Sequence, residues 1–371
     1  MKLATFIDRA PTYFRAGKSY HLRSGPGRGK TTVMRALPAR LSTITGKRVG
    51  IVILNGALMK PTDDTGYLFP VQRDGEAHCM FTKPHWWHTD EGFPLEHYDG
   101  GGIIFVDEED KMDVDVKKSI GEMAQSKRIG AHILPPGWVV WFAGNRRKDR
   151  SGSTKELDHL INRRCEIDID DDLDGWTKWA ETHRTYKGPE DKVGTPFHPV
   201  GIAFANHNAN IVFNPEPPKE QGPFCTPRSL TECIEHLSYF ADDKGRLPFD
   251  PVATKEAAGF IGHDAATQLM ATIQLEYELP KLEDIVCSPN SAPVPPRADG
   301  QMLVAYSLAY RTDHHNVQAV ITYLSRFPAE FAVLYARTAT TRDATLLNTD
   351  TFDQWCRDNA SLMQAVSTRR R

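Results

Sequence analysis

No stretch of this 371-residue chain holds the roughly twenty consecutive apolar residues that a helix needs to cross a bilayer. The opening run Met1-Lys2-Leu3-Ala4-Thr5-Phe6-Ile7-Asp8 is not a long apolar segment either. Six cysteines, at 79, 165, 225, 233, 287 and 356, show no paired short spacing. That argues against a disulfide framework or a zinc site and for free thiols in a reducing compartment. His78, Cys79, His85 and His88 lie close in sequence but match no zinc-ligand spacing. Excess charge of one sign is missing too. With 45 basic and 48 acidic residues the net charge is −3, which speaks against a mainly electrostatic nucleic-acid binder. There is no internal repeat. What is present is ordinary for a soluble globular protein: 40% apolar and 25% charged residues. The length leaves room for two or three domains. A cytoplasmic protein that no membrane segment anchors is the expectation.

Against this plain background one stretch stands out, Ser24-Gly25-Pro26-Gly27-Arg28-Gly29-Lys30-Thr31. The alternating Ser19-Tyr20-His21-Leu22-Arg23 before it reads as a short strand. Thr32-Val33-Met34-Arg35-Ala36-Leu37 after it reads as a helix. Strand, glycine-rich turn and helix form the context of a phosphate-binding loop. Glycines let the backbone curl so that N–H groups face anionic oxygens, and the helix N-terminus adds partial positive charge. Residues 25–32, namely Gly25, Pro26, Gly27, Arg28, Gly29, Lys30, Thr31 and Thr32, are the expected cradle. Lys30 supplies a cation for the terminal phosphates, and Thr31 a hydroxyl for Mg²⁺. The usual first glycine, separated from the Gly-Lys pair by four residues, is replaced by Ser24.

The next buried strand is expected over 48–54, after a Thr-Gly-Lys turn. From 55 to 101 the periodicity is lost. This insertion carries Pro61, Asp63, Asp64, Gly66, Pro70 and the aromatics Phe81, Trp86 and Trp87. Irregular insertions of this length tend to be functional. Order returns with Gly102-Ile103-Ile104-Phe105-Val106-Asp107-Glu108, an apolar run ending in two acids. A helix over 115–126, a hairpin over 127–137, a strand over 138–145, a helix over 155–164 and a strand over 165–169 follow. Strands alternating with helices predict an α/β sheet covered on both faces. Beyond 172 the strand signals fade. Helices are expected near 176–180, 228–240, 317–324 and 330–337, with loops over 214–223 and 287–300. The division is therefore 1–172 as an α/β nucleotide-binding core, 173–286 as a helical lid and 287–371 as a C-terminal helical region.

The acids give the loop its chemistry. Hydrolysis of a triphosphate needs one carboxylate on the metal side and another to orient or deprotonate water. Asp107 suits the first role and Glu108 the second. The competing reading is an exposed acidic turn continued by Glu109 and Asp110, which the apolar quartet before it disfavours. Asn145, at the end of the strand over 138–145, can hold the attacking water and contact the γ-phosphate. Arg163 and Arg164 follow a helix and precede a strand. One of them, supplied in trans, can stabilise charge on the transferred phosphoryl group. Arg228, in Thr226-Pro227-Arg228-Ser229-Leu230, opens a helix from which it can reach the nucleotide.

In this order the motifs resemble those of AAA+ ATPases, and within them the MoxR-like branch. The shared features are Ser-Gly-Pro-Gly-Arg-Gly-Lys-Thr (Walker A), Ile-Ile-Phe-Val-Asp-Glu (Walker B), Ala-Gly-Asn (sensor 1), Leu-Ile-Asn-Arg-Arg (arginine-finger region) and Thr-Pro-Arg-Ser-Leu (sensor 2). Lys60-Pro61-Thr62-Asp63-Asp64-Thr65-Gly66 also resembles that branch, where it precedes a helix-2 insert. The resemblance covers about residues 15–240. Gly259-Phe260-Ile261-Gly262 and residues 323–330 are similar to phage and bacterial members. The resemblance implies a five-stranded α/β core, a helical lid and a ring, usually of six subunits, that hydrolyses ATP with Mg²⁺. It implies roles for Lys30, Thr31, Asp107, Glu108, Asn145, Arg163 and Arg228 that agree with the chemistry above. It also implies a chaperone-like action on a protein client, commonly with a separate von Willebrand A-domain partner. Residues 69–87 and 127–137 would then face the ring's pore or a partner, with Phe81, Trp86 and Trp87 gripping the client. A nucleic-acid motor or restriction-type GTPase is the alternative, supported by Arg146-Arg147-Lys148-Asp149-Arg150 and the tail Arg369-Arg370-Arg371.

Overall fold

The computed structural model describes residues 1–146, 162–186, 191–213 and 222–360. The helix expected over 155–164 lies mostly outside the described residues. So do the basic run after Arg146, the loop over 214–221 and the tail at 369–371. The described residues fall into two compact units, one ending at Asp172 and the other starting at Leu173.

The first unit runs α1 (Leu3–Arg15), β1 (Tyr20–Ser24), α2 (Lys30–Thr45), β2 (Gly50–Asn55), α3 (Pro61–Thr65), β3 (Leu68–Arg73) and β4 (Glu76–Phe81). It continues with β5 (Gly102–Asp107), α4 (Val114–Ser126), β6 (Arg128–Ile129), β7 (His132–Ile133), β8 (Trp138–Asn145) and β9 (Cys165–Asp168). Five strands form one parallel sheet in the order β2-β5-β8-β1-β9. The apolar runs expected to be buried on both faces are so. On β5, Ile103 and Phe105 join the cluster under α1 and α2, while Ile104 and Val106 join the one under α4. β8 splits the same way, with Val139, Trp141 and Ala143 on one face and Trp138, Val140 and Phe142 on the other. The period-two alternation of strand side chains thus feeds two separate cores.

Two features were not legible in the sequence. Helix α1 precedes the sheet, and its Phe6, Ala10 and Phe14 recur every four residues and are buried. Pro11 in its middle hides that stripe from a reading by propensity. Phe6 meets Trp141 edge-on at 5.8 Å. The 55–101 segment, expected to be irregular, contains the antiparallel hairpin β3–β4, paired from Leu68↔Phe81 to Arg73↔Glu76. Its side chains are almost all exposed, so no buried face imposes an apolar alternation.

The second unit is helical: α5 (Leu173–Thr182), α6 (Pro199–His207), α7 (Ala209–Val212), α8 (Pro227–Ser238), α9 (Pro251–Ile261) and α10 (His263–Glu278). Then come α11 (Leu282–Cys287), α12 (Ala298–Arg311), α13 (Val317–Leu324), α14 (Ala329–Arg342) and α15 (Asp350–Asp358). Three of these helices begin with proline, which fits the first turn because that N–H has no partner anyway. Thr226 and Asp250 cap two of them through their side chains. One hydrophobic cluster extends from Ala180 to Phe352.

Candidate functional site

The parallel register gathers the expected site residues at one edge of the sheet. Ser24 at the end of β1 pairs with Asn145 at the end of β8, and Asn55 of β2 pairs with Asp107 of β5. The loop between β1 and α2 turns on Gly27 and Gly29, at φ of 67° and 78°. An L side chain is costly in that region, which is why glycine stands there. Gly29 caps α2 without a side-chain acceptor, so the first-turn N–H groups remain directed at the loop.

Lys30 is buried and its ammonium donates to Ser24 Oγ at 2.8 Å and to the carbonyls of Gly25 and Ser24 at 3.3 and 3.4 Å. The Ser24 hydroxyl donates in turn to the Gly25 carbonyl at 2.9 Å. Thr31, one residue into α2, donates its hydroxyl to Asp107 Oδ2. The other Asp107 oxygen accepts from the Glu108 N–H at 2.9 Å. Glu108 has a left-handed backbone, φ 52° and ψ 36°, and its carboxylate pairs with Lys111 at 3.2 Å. Both groups are more than a third exposed, so that pair holds Glu108 only loosely. Thr32 is exposed.

The two acids after Glu108 are not the exposed turn that the sequence left open. Glu109 and Asp110 are 2% and 3% exposed. Asp110 Oδ1 accepts from the Asn145 backbone N–H at 3.1 Å, which fixes the end of β8 against the acid-bearing turn. Gly144 fits between them: a Cβ there would lie 3.0 Å from Asp110 Oδ1 and 3.2 Å from His21 Nε2. Glu109 lies 3.2 Å from Arg164 and 3.8 Å from His21. Burial raises the Glu109 carboxyl, but Arg164, His21 and Lys117 outweigh that and hold it below its ordinary value. Burial likewise pushes the His21 imidazole below its ordinary value. The sequence signal for these residues was weak. A run of four acids reads as surface until the strand before it is placed at the centre of a sheet.

Arg28 and Arg146 also converge on the loop. A Cβ on Gly25 would meet Arg146 Nη2 at 3.4 Å and Arg28 Nε at 3.5 Å. Arg28 is paired with Asp171 at 2.8 Å, its side chain 4% exposed. Lys30, Arg28 and Arg146 thus surround the start of a backbone nest, an arrangement suited to a polyanion.

The remaining candidates separate. Arg163 is exposed and makes no ion pair among the described residues, whereas its neighbour Arg164 is turned into the first unit. Arg228 is exposed in the first turn of α8, in the second unit. Trp86 and Trp87, expected to be available for gripping, are each 2% exposed. Their indole N–H groups donate to the Asp63 carbonyl and to Glu96, so they serve as packing under the insertion. The exposed large apolar residues of the insertion are Leu58, Tyr67, Leu68, Phe69, Met80, Phe81 and Phe93. No helix among the described residues is long and apolar enough to cross a membrane.

No family model matches the chain, and no curated protein does. Among solved structures, a mutant of RuvB from Thermotoga maritima is similar at a TM-score of 0.38 and 15% identity, over 87% of this chain and 85% of that one. NtrX from Brucella abortus is similar at 0.38 and 15%, over 95% of this chain and 66% of that one. A second NtrX structure, in complex with ADP, is similar at 0.37 and 12%, over 96% and 68%. At these scores the likeness is loose. The chain's own parallel sheet, with a glycine-rich loop running into α2 and an acid pair closing β5, has the α/β P-loop NTPase fold.

Proposed function

We propose that this chain is an AAA+ ATPase of the MoxR-like type, acting in a ring, usually of six subunits, to remodel or activate a protein client. The observation that carries the reading is the contact between Thr31 and Asp107, with Lys30 and Glu108 beside them. A hydroxyl on the helix after the loop and a carboxylate at the end of the central strand meet at the phosphate-binding edge. Both are hard oxygen donors of the kind Mg²⁺ takes, so the residues present fit that ion. Mg²⁺ held there would neutralise charge on the phosphate oxygens.

The protein's own groups divide the remaining work. Lys30 leaves its Ser24 and Gly25 acceptors for the terminal phosphates of ATP. The nest at residues 25–29 and the N-terminus of α2 bind the phosphate chain. Glu108 takes the proton of the attacking water, and Asn145 holds that water. Arg163, projecting from the surface of the first unit, stabilises the transferred phosphoryl group of a neighbouring subunit. Arg228 senses the nucleotide from the helical lid. A von Willebrand A-domain protein is the partner to look for.

The test is subunit mixing. Lys30→Ala chains bind no nucleotide, and Arg163→Ala chains bind ATP without turning it over. Mixed, they recover part of the hydrolysis, because intact Arg163 of one serves the intact loop of the other. Absence of recovery at every ratio overturns the trans arrangement.

A further inference from the structure

Beneath the phosphate-binding edge lies an ionic network in which the Glu109, Arg164 and His21 side chains are buried. Arg164 Nη1 is 3.2 Å from Glu109 Oε1, with side chains 4% and 3% exposed. The guanidinium also lies over the Phe142 ring, 5.1 Å from its centre. His21 sits between carboxylates, 3.8 Å from Glu109 and 3.7 Å from Glu166. Arg23 closes the network at 3.3 Å from Glu166, which Arg164 Nη2 also approaches at 3.8 Å. Glu109 follows β5, Phe142 belongs to β8, His21 and Arg23 to β1, and Glu166 to β9. The network therefore crosses the sheet from its catalytic strand to its edge.

Stability alone is a poor reason for such a pair. Desolvating two charges offsets most of their attraction, and apolar residues of the same volume would serve as well. Its ends are informative. Glu109 is the next residue after Glu108, whose left-handed backbone is unfavourable for a residue with a side chain and must be held by its surroundings. Arg164 is the next residue after the exposed Arg163. The planar guanidinium, with one nitrogen toward Glu109, the other toward Glu166 and the Phe142 ring beneath it, is held in direction as well as in charge.

We propose that the Glu109–Arg164 pair is a crossbar that sets Glu108, in a subunit's own site, and Arg163, offered to the next site, in one fixed arrangement. This rests on the reading that Glu108 is the base and Arg163 acts in trans. Glu109 and Arg164 are positioning residues. With side chains only 3% and 4% exposed, they act through the residues that precede them.

The experiment compares Glu109→Gln, Arg164→Gln and the double variant of the full chain by kcat and KM for ATP with Mg²⁺. Each single variant lowers kcat at least about tenfold with KM within about twofold, and the double is no slower than the slower single. Multiplicative losses, or singles that keep kcat while only their Tm falls, overturn the crossbar and leave a merely structural pair. Arg164→Lys, which keeps the charge and is the safer fold, has a kcat between wild type and Arg164→Gln. If the glutamine variants do not fold, wild-type kcat in Arg164→Lys overturns the proposal. Mixing separates this proposal from the reading beneath it. Lys30→Ala subunits rescue Arg163→Ala but not Arg164→Gln, because Arg164→Gln loosens Glu108 as well. Rescue of both to the same extent overturns the crossbar; rescue of neither overturns the trans reading and with it the link to Arg163, and the double-variant comparison then decides whether the pair positions Glu108 alone.

Discussion

The ammonium of Lys30 is hydrogen-bonded to the hydroxyl of Ser24 at 2.8 Å, the residue that stands where such loops usually begin with glycine. The departure from the usual motif is thus an acceptor for the motif's own cation. A hydrogen bond to a charged group contributes about 1.5–3 kcal/mol, so Ser24 competes with phosphate for Lys30. Ser24→Gly is expected to tighten ATP binding by about three- to tenfold and to lower the Tm of the nucleotide-free chain. Titration calorimetry checks it. Weaker binding would mean that Ser24 stays on Lys30, or on the phosphate, in the bound state.

Glu108→Gln keeps the size and the left-handed turn but cannot accept a proton. Hydrolysis should fall by about 10²–10⁴-fold while ATP affinity changes little. A filter-binding measurement beside a phosphate-release assay separates the two. Hydrolysis at the wild-type rate would remove Glu108 from the role of base.

At Gly144 the added methyl of an alanine would lie 3.0 Å from Asp110 Oδ1 and 3.2 Å from His21 Nε2, both on buried side chains. Neither neighbour can swing into solvent. Gly144→Ala should cost about 1–3 kcal/mol in urea unfolding, as overpacked cores do. It should also slow hydrolysis, because the Asp110 contact that fixes the Asn145 backbone is the one displaced. Unchanged stability would show that the turn at Glu109–Lys111 yields more easily than its burial implies.

Glu276 in α10 carries a pH signature of the helical unit. Burial pushes its carboxyl up to about 7, against the pull of Arg311 and Arg246, and neither oxygen has a hydrogen-bond partner among the described residues. Its folded value lies above the ordinary 4.5, so the folded state binds the extra proton. The associated stability is full below about pH 4.5, falls as pH rises and is gone above about pH 7. Glu276→Gln should therefore raise the Tm at pH 8 and leave it nearly unchanged at pH 4.5. The gain at pH 8 is on the order of 3 kcal/mol at most. An equal effect at both pH values would assign it to packing.

The division of labour between sequence and structure follows from the range of the forces involved. Chain-local physics set the loop of residues 24–31, the apolar run before Asp107 and the strand ending at Asn145. Glycine conformations, a helix start and buried-strand composition are all properties of a few consecutive residues, so they could be read in order. The helix start at Pro227 was of the same kind. Other features depended on partners distant in the chain. Nothing local distinguishes Arg163 from Arg164; only the arrival of Glu109, 3.2 Å from Arg164, turns one inward. Trp86 and Trp87 look like an exposed aromatic grip until Asp63 and Glu96 accept their N–H groups beneath the insertion. Glu109 and Asp110 look like surface until β5 is placed between β2 and β8. The sequence by itself determined the glycine-rich loop, the acid-bearing strand and the order in which they follow one another. The packing of parallel strands decided which charges stay in water and which are buried to hold the others in place, because burial belongs to the whole sheet.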